Sequence, residues 1–223
     1  MKFDLASVLR GLALATLVVA WALLAHQGSA GEANPDFSAA LATAPIVAIV
    51  VMLLWRAGNP LWIVVGGLAV LGLLAWSWPL LRQNIAMLYY VQHVGTNLAL
   101  GLLFGRSLLG PGEALVTQFA RMAHFGAISA AKIRYTRQVT IAWTIFFLGT
   151  ALLSSLLFWL GQTHAWSVFA NLLTVPLLGL MFVGEHLCRH RLLPPEDRSS
   201  VADTIRGYRA AMQHRTDTLA NHP

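Results

Sequence analysis

Tyr89, Tyr90, Gln92, His93, Thr96 and Asn97 stand together inside an otherwise apolar stretch of the chain. Tyr89, His93 and Asn97 follow one another at i, i+4 and i+8, so on a helix they share one face that drifts about 40° per step. Polar side chains at membrane depth are costly, and this face is therefore expected to turn into a helix bundle. An imidazole there can act as a general base, with Asn97 as its polar neighbour. It can equally be a hydrogen-bonding tie between helices. Counting ~1.5 Å per residue along neighbouring spans puts His93 level with Thr150 and Thr174, with Ser154, Ser155 and Asn171 slightly nearer the far face. The expected partners of His93 and Asn97 are Thr144, Thr150, Asn171 and Thr174. Pro176 frees a backbone carbonyl nearby.

Further along, Glu185, His186, Arg189, His190 and Arg191 crowd the end of an apolar run. Glu185 and Arg189 are an i,i+4 ion pair, and His186 and His190 have a spacing that can hold a metal. A metalloprotease helix needs its glutamate directly after the first histidine, whereas Glu185 precedes His186, so a juxtamembrane ion pair is the expected reading. Arg106, Arg121, Lys132, Arg134 and Arg137 add a basic rim, which topology explains unless something anionic is recognised there. The chain has no GxSxG, Walker loop, DxD pair or Gly-rich dinucleotide loop, and its single cysteine, Cys188, excludes an intrachain disulfide. Neither a metal nor another cofactor is expected.

These residues need elements to position them, and composition says which. Hydrophobic residues make up 57% of the 223 and charged ones only 11%, against about a quarter in soluble domains. Mean hydropathy is +0.64. Apolar runs cover residues 6–25, 38–55, 61–81, 85–104, 139–160 and 166–187, each close to the ~20 residues that cross ~30 Å of hydrocarbon. The expected fold is all-α and polytopic, with about six transmembrane helices in one domain over residues 1–192. The first run resembles a signal peptide, since Gly28-Ser29-Ala30 looks like a cleavage site, but it is read as a span.

With six spans both ends lie on one side of the membrane. Of the 15 lysines and arginines all but Arg82 fall on that side, which makes it the cytoplasm: N-in, C-in. The same rule accounts for the formal net charge of +6 without a nucleic-acid partner. Between residues 105 and 138 a cytoplasmic loop begins with the Gly110-Pro111-Gly112 breaker and continues as an interfacial helix with Leu115, Phe119 and Met122 on its apolar face and Thr117, Arg121 and His124 elsewhere. Residues 193–223 form a cytoplasmic tail. There Ser200 and Asp203 begin an amphipathic helix striped by Val201, Ile205, Tyr208 and Met212. Gly101 and Gly105 form a GxxxG pair, too common in membrane helices to decide a function.

The series Tyr90-x2-His93-x3-Asn97, Phe104-Gly105-Arg106-Ser107-Leu108, Thr117-Gln118-Phe119-Ala120-Arg121, Arg134-Tyr135-Thr136-Arg137, Ala142-Trp143, Asn171 with Pro176-Leu177, and Phe182-x2-Glu185 resembles a family of small bacterial inner-membrane proteins. Members of that family are encoded among enzymes that make aryl polyene pigments and related fatty-acid-like products. The resemblance covers roughly residues 80–192. It implies an accessory component that docks acyl or polyene synthesis machinery, or its product, at the cytoplasmic face. Membrane lipids and an acyl carrier protein, or cytoplasmic acyl-synthesis enzymes, are the partners expected from it. Binding would then fall to Tyr89, Arg106, Arg121, Arg134, Arg137, Asn171, Glu185 and Arg189. The competing expectations are an intramembrane acyl or lipid-head transferase with His93 and Asn97 as catalytic residues, and a small transporter or flippase subunit.

Overall fold

The computed structural model describes residues 5–56, 58–123 and 128–194. Every regular element among them is helical: α1 (Leu5–Ala30), α2 (Pro35–Arg56), α3 (Pro60–Gln83), α4 (Ile85–Leu109), α5 (Leu115–Ala123), α6 (Ala130–Trp159), α7 (Thr163–Ser167), a π-helical segment (Val168–Leu173) and α8 (Thr174–Leu192). The all-α expectation holds. Five helical runs are long and apolar enough to cross a membrane: Leu9–Ala30, Pro35–Arg56, Pro60–Gln83, Ala130–Trp159 and Thr163–Leu192. Helix α4 is 25 residues long but is not one of the five, because the polar residues from Tyr89 to Asn97 and Arg106 dilute its apolar content. His124 and the amphipathic tail expected after Ser200 lie outside the described residues.

Local chemistry sets the helix ends. The Asn34 side chain accepts from the amides of Asp36 (2.9 Å) and Phe37 (3.3 Å), and Pro35 stands where its missing N–H costs nothing. Asn59 and Pro60 repeat the device at α3, where Leu61 N donates to Asn59 at 2.9 Å. Gly31 (φ 84°) and Gly161 (φ 75°) close α1 and α6 in a left-handed conformation that a side chain would strain. The helices also outrun the apolar runs. Helix α6 begins at Ala130, ahead of the expected residue 139, so Lys132, Arg134 and Arg137 ride on the helix itself and not on a loop.

By contact the described residues form two compact units, one from residues up to Val94 with Leu153–Val175, the other from Gly95–Leu152 with the residues from Pro176 onward. In the first unit α2 packs on α1 and α3, α1 packs on α7 and the π segment, and Ala25, Ala42, Tyr89 and Trp166 form the core. In the second, Tyr135, Val139, Trp143, Phe147 and Leu193 form the core, with the Phe104 and Phe182 rings tilted against Trp143 at centroid distances of 6.2 and 4.8 Å. Outside these cores the surface is apolar. Helix α3 has no buried residue, and Leu61, Leu68, Leu71 and Leu80 are each more than 60% exposed, a surface suited to lipid.

The expected short helix in the loop is present as α5, and the face it packs against the protein is its small, hydroxyl-bearing one. Helix α5 turns Thr117 and Ala120 inward and leaves Phe119 41% exposed. Thr117 Oγ1 lies 2.8 Å from Thr136 Oγ1 on α6, Val116 N donates to Thr140 Oγ1 at 3.3 Å, and the Ser107 hydroxyl caps Leu115 N at 2.9 Å. Threonine hydroxyls and a small alanine let two helices approach closely, which the large Leu115, Phe119 and Met122 would prevent.

Candidate functional site

His93 sits where three segments of the first unit meet. Its Nδ1 is 3.0 Å from Ser154 Oγ on α6, and its Nε2 is 3.0 Å from Thr174 Oγ1 at the start of α8. Ser154 also accepts from Trp166 Nε1 at 2.9 Å, and Thr174 Oγ1 donates to the Phe169 carbonyl at 2.9 Å. Each hydroxyl has one proton, so the directions are fixed in turn. Thr174, donating to Phe169, accepts from His93 Nε2–H; Ser154, accepting from Trp166, donates to Nδ1. A neutral imidazole satisfies the whole chain, and its basic lone pair is already taken. Thr174, one of the partners expected, meets His93, together with Ser154. Thr150 and Asn97 are both buried but belong to the second unit, and Thr144 donates to Thr140 O at 2.8 Å.

The π segment makes this geometry possible. Pro176 has no N–H, and its ring would press on the Leu172 carbonyl in a regular helix. Just ahead of it the chain widens, and Thr174 N donates five residues back to Phe169 O. Thr174 is thereby turned toward His93, and the Phe169 ring meets the imidazole edge-on at 6.0 Å.

Around His93, Gln92 Nε2 donates to Ala42 O at 2.9 Å, while Tyr90 donates to Ser155 Oγ at 3.2 Å and stacks on Phe158 at 4.2 Å. Tyr89 is 6% exposed, and among the described residues its hydroxyl has no hydrogen-bond partner.

Asn171 does not reach His93. Its Nδ2 donates to Ser29 Oγ at 2.9 Å and to Ser167 Oγ at 3.3 Å, within a cluster that sequence reasoning missed. There His26 Nδ1 is 2.7 Å from Ser167 Oγ, and Ser29 Oγ is 2.6 Å from the same atom. A histidine on a serine hydroxyl suggests an activated nucleophile. Ser167 is 0% exposed and crowded by His26, Ser29 and Asn171, so the cluster binds α1 to the last helical run. Its one sequence signal, Gly28-Ser29-Ala30, reads as small residues. Gly28 is small because a Cβ there would come within 2.8 Å of Ser38 Oγ.

In the second unit Tyr135, Lys132, Glu185 and Arg189 converge. Arg189 forms a two-pronged ion pair with Glu185, and Tyr135 OH donates to Glu185 O at 2.9 Å and lies 3.1 Å from its Oε1. Lys132 is 2% exposed. These four side chains line a half-open cavity of about 60 Å3. Tyr135 and Glu185 also line a groove of about 330 Å3 whose other walls include Val139, Ala142, Met181, Gly184 and Cys188. Cavity and groove therefore share a wall, polar and charged on one side and apolar on the other.

The remaining basic residues behave differently from one another. Arg121 is engaged by Glu113 in a two-pronged pair that holds the Glu113 carboxyl below the usual carboxylate range, chiefly through the hydrogen bonds from the guanidinium. Arg106, Arg134 and Arg137 are exposed. His186 and His190 pack edge to face at 4.4 Å, and among the described residues no group of three or more metal-binding side chains occurs. Comparison with protein-family models, curated proteins and solved structures finds no match to this chain.

Proposed function

We propose that this chain is an accessory protein of the bacterial inner membrane, with six spans and both ends in the cytoplasm. In this role it holds acyl-chain synthesis machinery, or an acyl product, at the cytoplasmic face. Support comes from the apolar groove lined by Val139, Ala142 and Met181, an open place for an acyl chain, and from the exposed Arg134 and Arg137, which flank its lining residue Tyr135 in sequence. The resemblance to proteins encoded with aryl polyene enzymes suggests an acyl carrier protein as the partner. Acyl carrier proteins present acidic helices, and exposed arginines speed encounter with such a surface in a salt-dependent way. A transferase built on His93 is the weaker reading, because both ring nitrogens are already bonded within the bundle.

The test is carrier binding by the purified protein at low and at physiological salt, with charge reversal at Arg106, Arg134 and Arg137. Arg121 is left intact, since reversing it would break its pair with Glu113. Binding should weaken with salt and fall at least tenfold in the triple variant, while anionic vesicles alone should not reproduce the carrier's affinity. Carrier binding that ignores both salt and the three reversals would overturn the docking role.

A further inference from the structure

We propose that His26 and His164 form a two-histidine site for one divalent transition-metal ion of the kind that imidazole prefers, joining α1 to α7. The site is independent of the carrier-docking role.

The two rings meet within the first unit, with centroids 5.4 Å apart and planes inclined at 72°. Two imidazoles that share one ion through nitrogens ~2.0–2.1 Å from it hold their centroids roughly 4.5–5.5 Å apart, for N–metal–N angles of about 90–120°. The observed spacing falls in that range. His164 is exposed and His26 partly buried, so an ion can reach the pair and water can fill its remaining positions.

The hydrogen bonds behind His26 leave its other nitrogen free to ligate. One arrangement of protons uses every lone pair of the Ser29 and Ser167 hydroxyls. In it His26 Nδ1–H donates to Ser167 Oγ at 2.7 Å, Ser167 donates to Ser29 Oγ at 2.6 Å, and Ser29 donates to the His26 carbonyl at 3.2 Å. Asn171 Nδ2 donates to both hydroxyls, at 2.9 and 3.3 Å. With its proton on Nδ1 the imidazole keeps the Nε2 lone pair, which is the tautomer a metal needs. The buried Ser167 hydroxyl then holds the ring in place, as the outer hydrogen-bond partners of ligating histidines do.

Charge separates this pair from the chain's other one. His186 and His190 also come close, with centroids at 4.4 Å, but they stand among Arg189 and Arg191, and like charges repel. No lysine or arginine occurs between Arg10 and Arg56 or between Arg137 and Arg189, the stretches that hold His26 and His164. The charged residue nearest His26 in sequence is Glu32, an acid.

The test uses the full chain, free of any polyhistidine tag, in phosphatidylcholine nanodiscs titrated with ZnCl2, CuCl2 or MgCl2. Zn2+ or Cu2+ should fill one tight, saturable site per chain, and Mg2+ should not. Binding of only one of the two names the metal and supports the site. Tightly bound Cu2+ should show two nitrogen ligands by electron paramagnetic resonance. His164→Gln changes an exposed residue, so it should elute as the wild type does, weaken the tight site about tenfold or more, and lower the nitrogen count to one. The bound ion should raise the thermal unfolding temperature of the wild type but not of this variant. His186→Ala/His190→Ala should keep the tight site. No saturable binding, a tight site that persists in His164→Gln, or one lost with His186 and His190 would overturn the proposal.

Discussion

At the scale of single residues, His93 ties three helical segments together through both of its ring nitrogens. Hydrogen bonds between membrane helices contribute about 0.6 kcal/mol each on average, so the two made by the imidazole are worth roughly 1 kcal/mol. His93→Ala should therefore lower thermal stability in detergent by about that amount, yet leave carrier binding intact once protein level is matched. Product formation lost at normal abundance and normal stability would restore the catalytic reading. Glu113 gives a second residue-level prediction. Its carboxyl is depressed by Arg121, so its contribution is present above the ordinary carboxylate range, near 4.3, and is lost as pH falls through the lower folded value. Amide exchange across residues 113–121 should accelerate in that acid window and not between pH 6 and 8. In Glu113→Gln the acid step should vanish.

At the scale of elements, close helix approach is testable through paired glycines. A Cβ on Gly101 would come within 2.6 Å of Leu148 Cδ2 and 2.9 Å of its Cγ, whereas one on Gly149 meets nothing within 4 Å. Gly101→Ala should destabilise, by about 1–3 kcal/mol if Leu148 cannot move aside. Gly149→Ala should be neutral or stabilise by up to ~1 kcal/mol, because alanine holds a helix better than glycine. Thermal unfolding of both variants checks the contrast. The long apolar helices were legible because lipid demands some twenty apolar residues in a row, a pattern that needs no knowledge of tertiary contacts. The existence of helix α5 was legible from its spacing, but the face it packs on α6 was not, because that contact depends on Thr117 meeting Thr136, a partner visible only once α6 is placed. Legibility of the site divides in the same way. His93 and the Glu185–Arg189 pair stood out as polar residues in apolar company. Lys132 did not, because a lysine near a helix end is what topology alone predicts, and its burial depends on α8 packing against α6. The His26–Ser167 contact spans 141 residues and left no local trace.

At the scale of the whole molecule, the six-span proposal requires α4 to cross the membrane, and the arrangement of basic residues favours it. Five crossing helices would put the ends on opposite sides. The best five-span orientation has the N-terminus outside and leaves Lys2, Arg10 and Arg56 on the far side. Six spans with the N-terminus inside leave only Arg82 there, and Arg82 is paired with Asp36 at 3.2 Å, which also accepts from Trp78 Nε1 at 2.9 Å. Because orientation follows lysine and arginine near the ends of spans, six is the count we propose. The polar face of α4 is no obstacle, since Gln92 and His93 are hydrogen-bonded to protein and not turned to lipid. Reporter fusions after Arg56, near Asn84 and after Glu113 separate the alternatives. Six spans predict inside, outside, inside; five predict outside, inside, inside. Glu113 reads the same in both, so the decision falls on Arg56 and Asn84. A cytoplasmic signal at Asn84 with a periplasmic one after Arg56 would remove α4 from the membrane and move the N-terminus across it. The ends of α6 and α8 that carry Arg134, Arg137 and Arg189 face the cytoplasm in either count, so the carrier-docking proposal does not depend on the outcome.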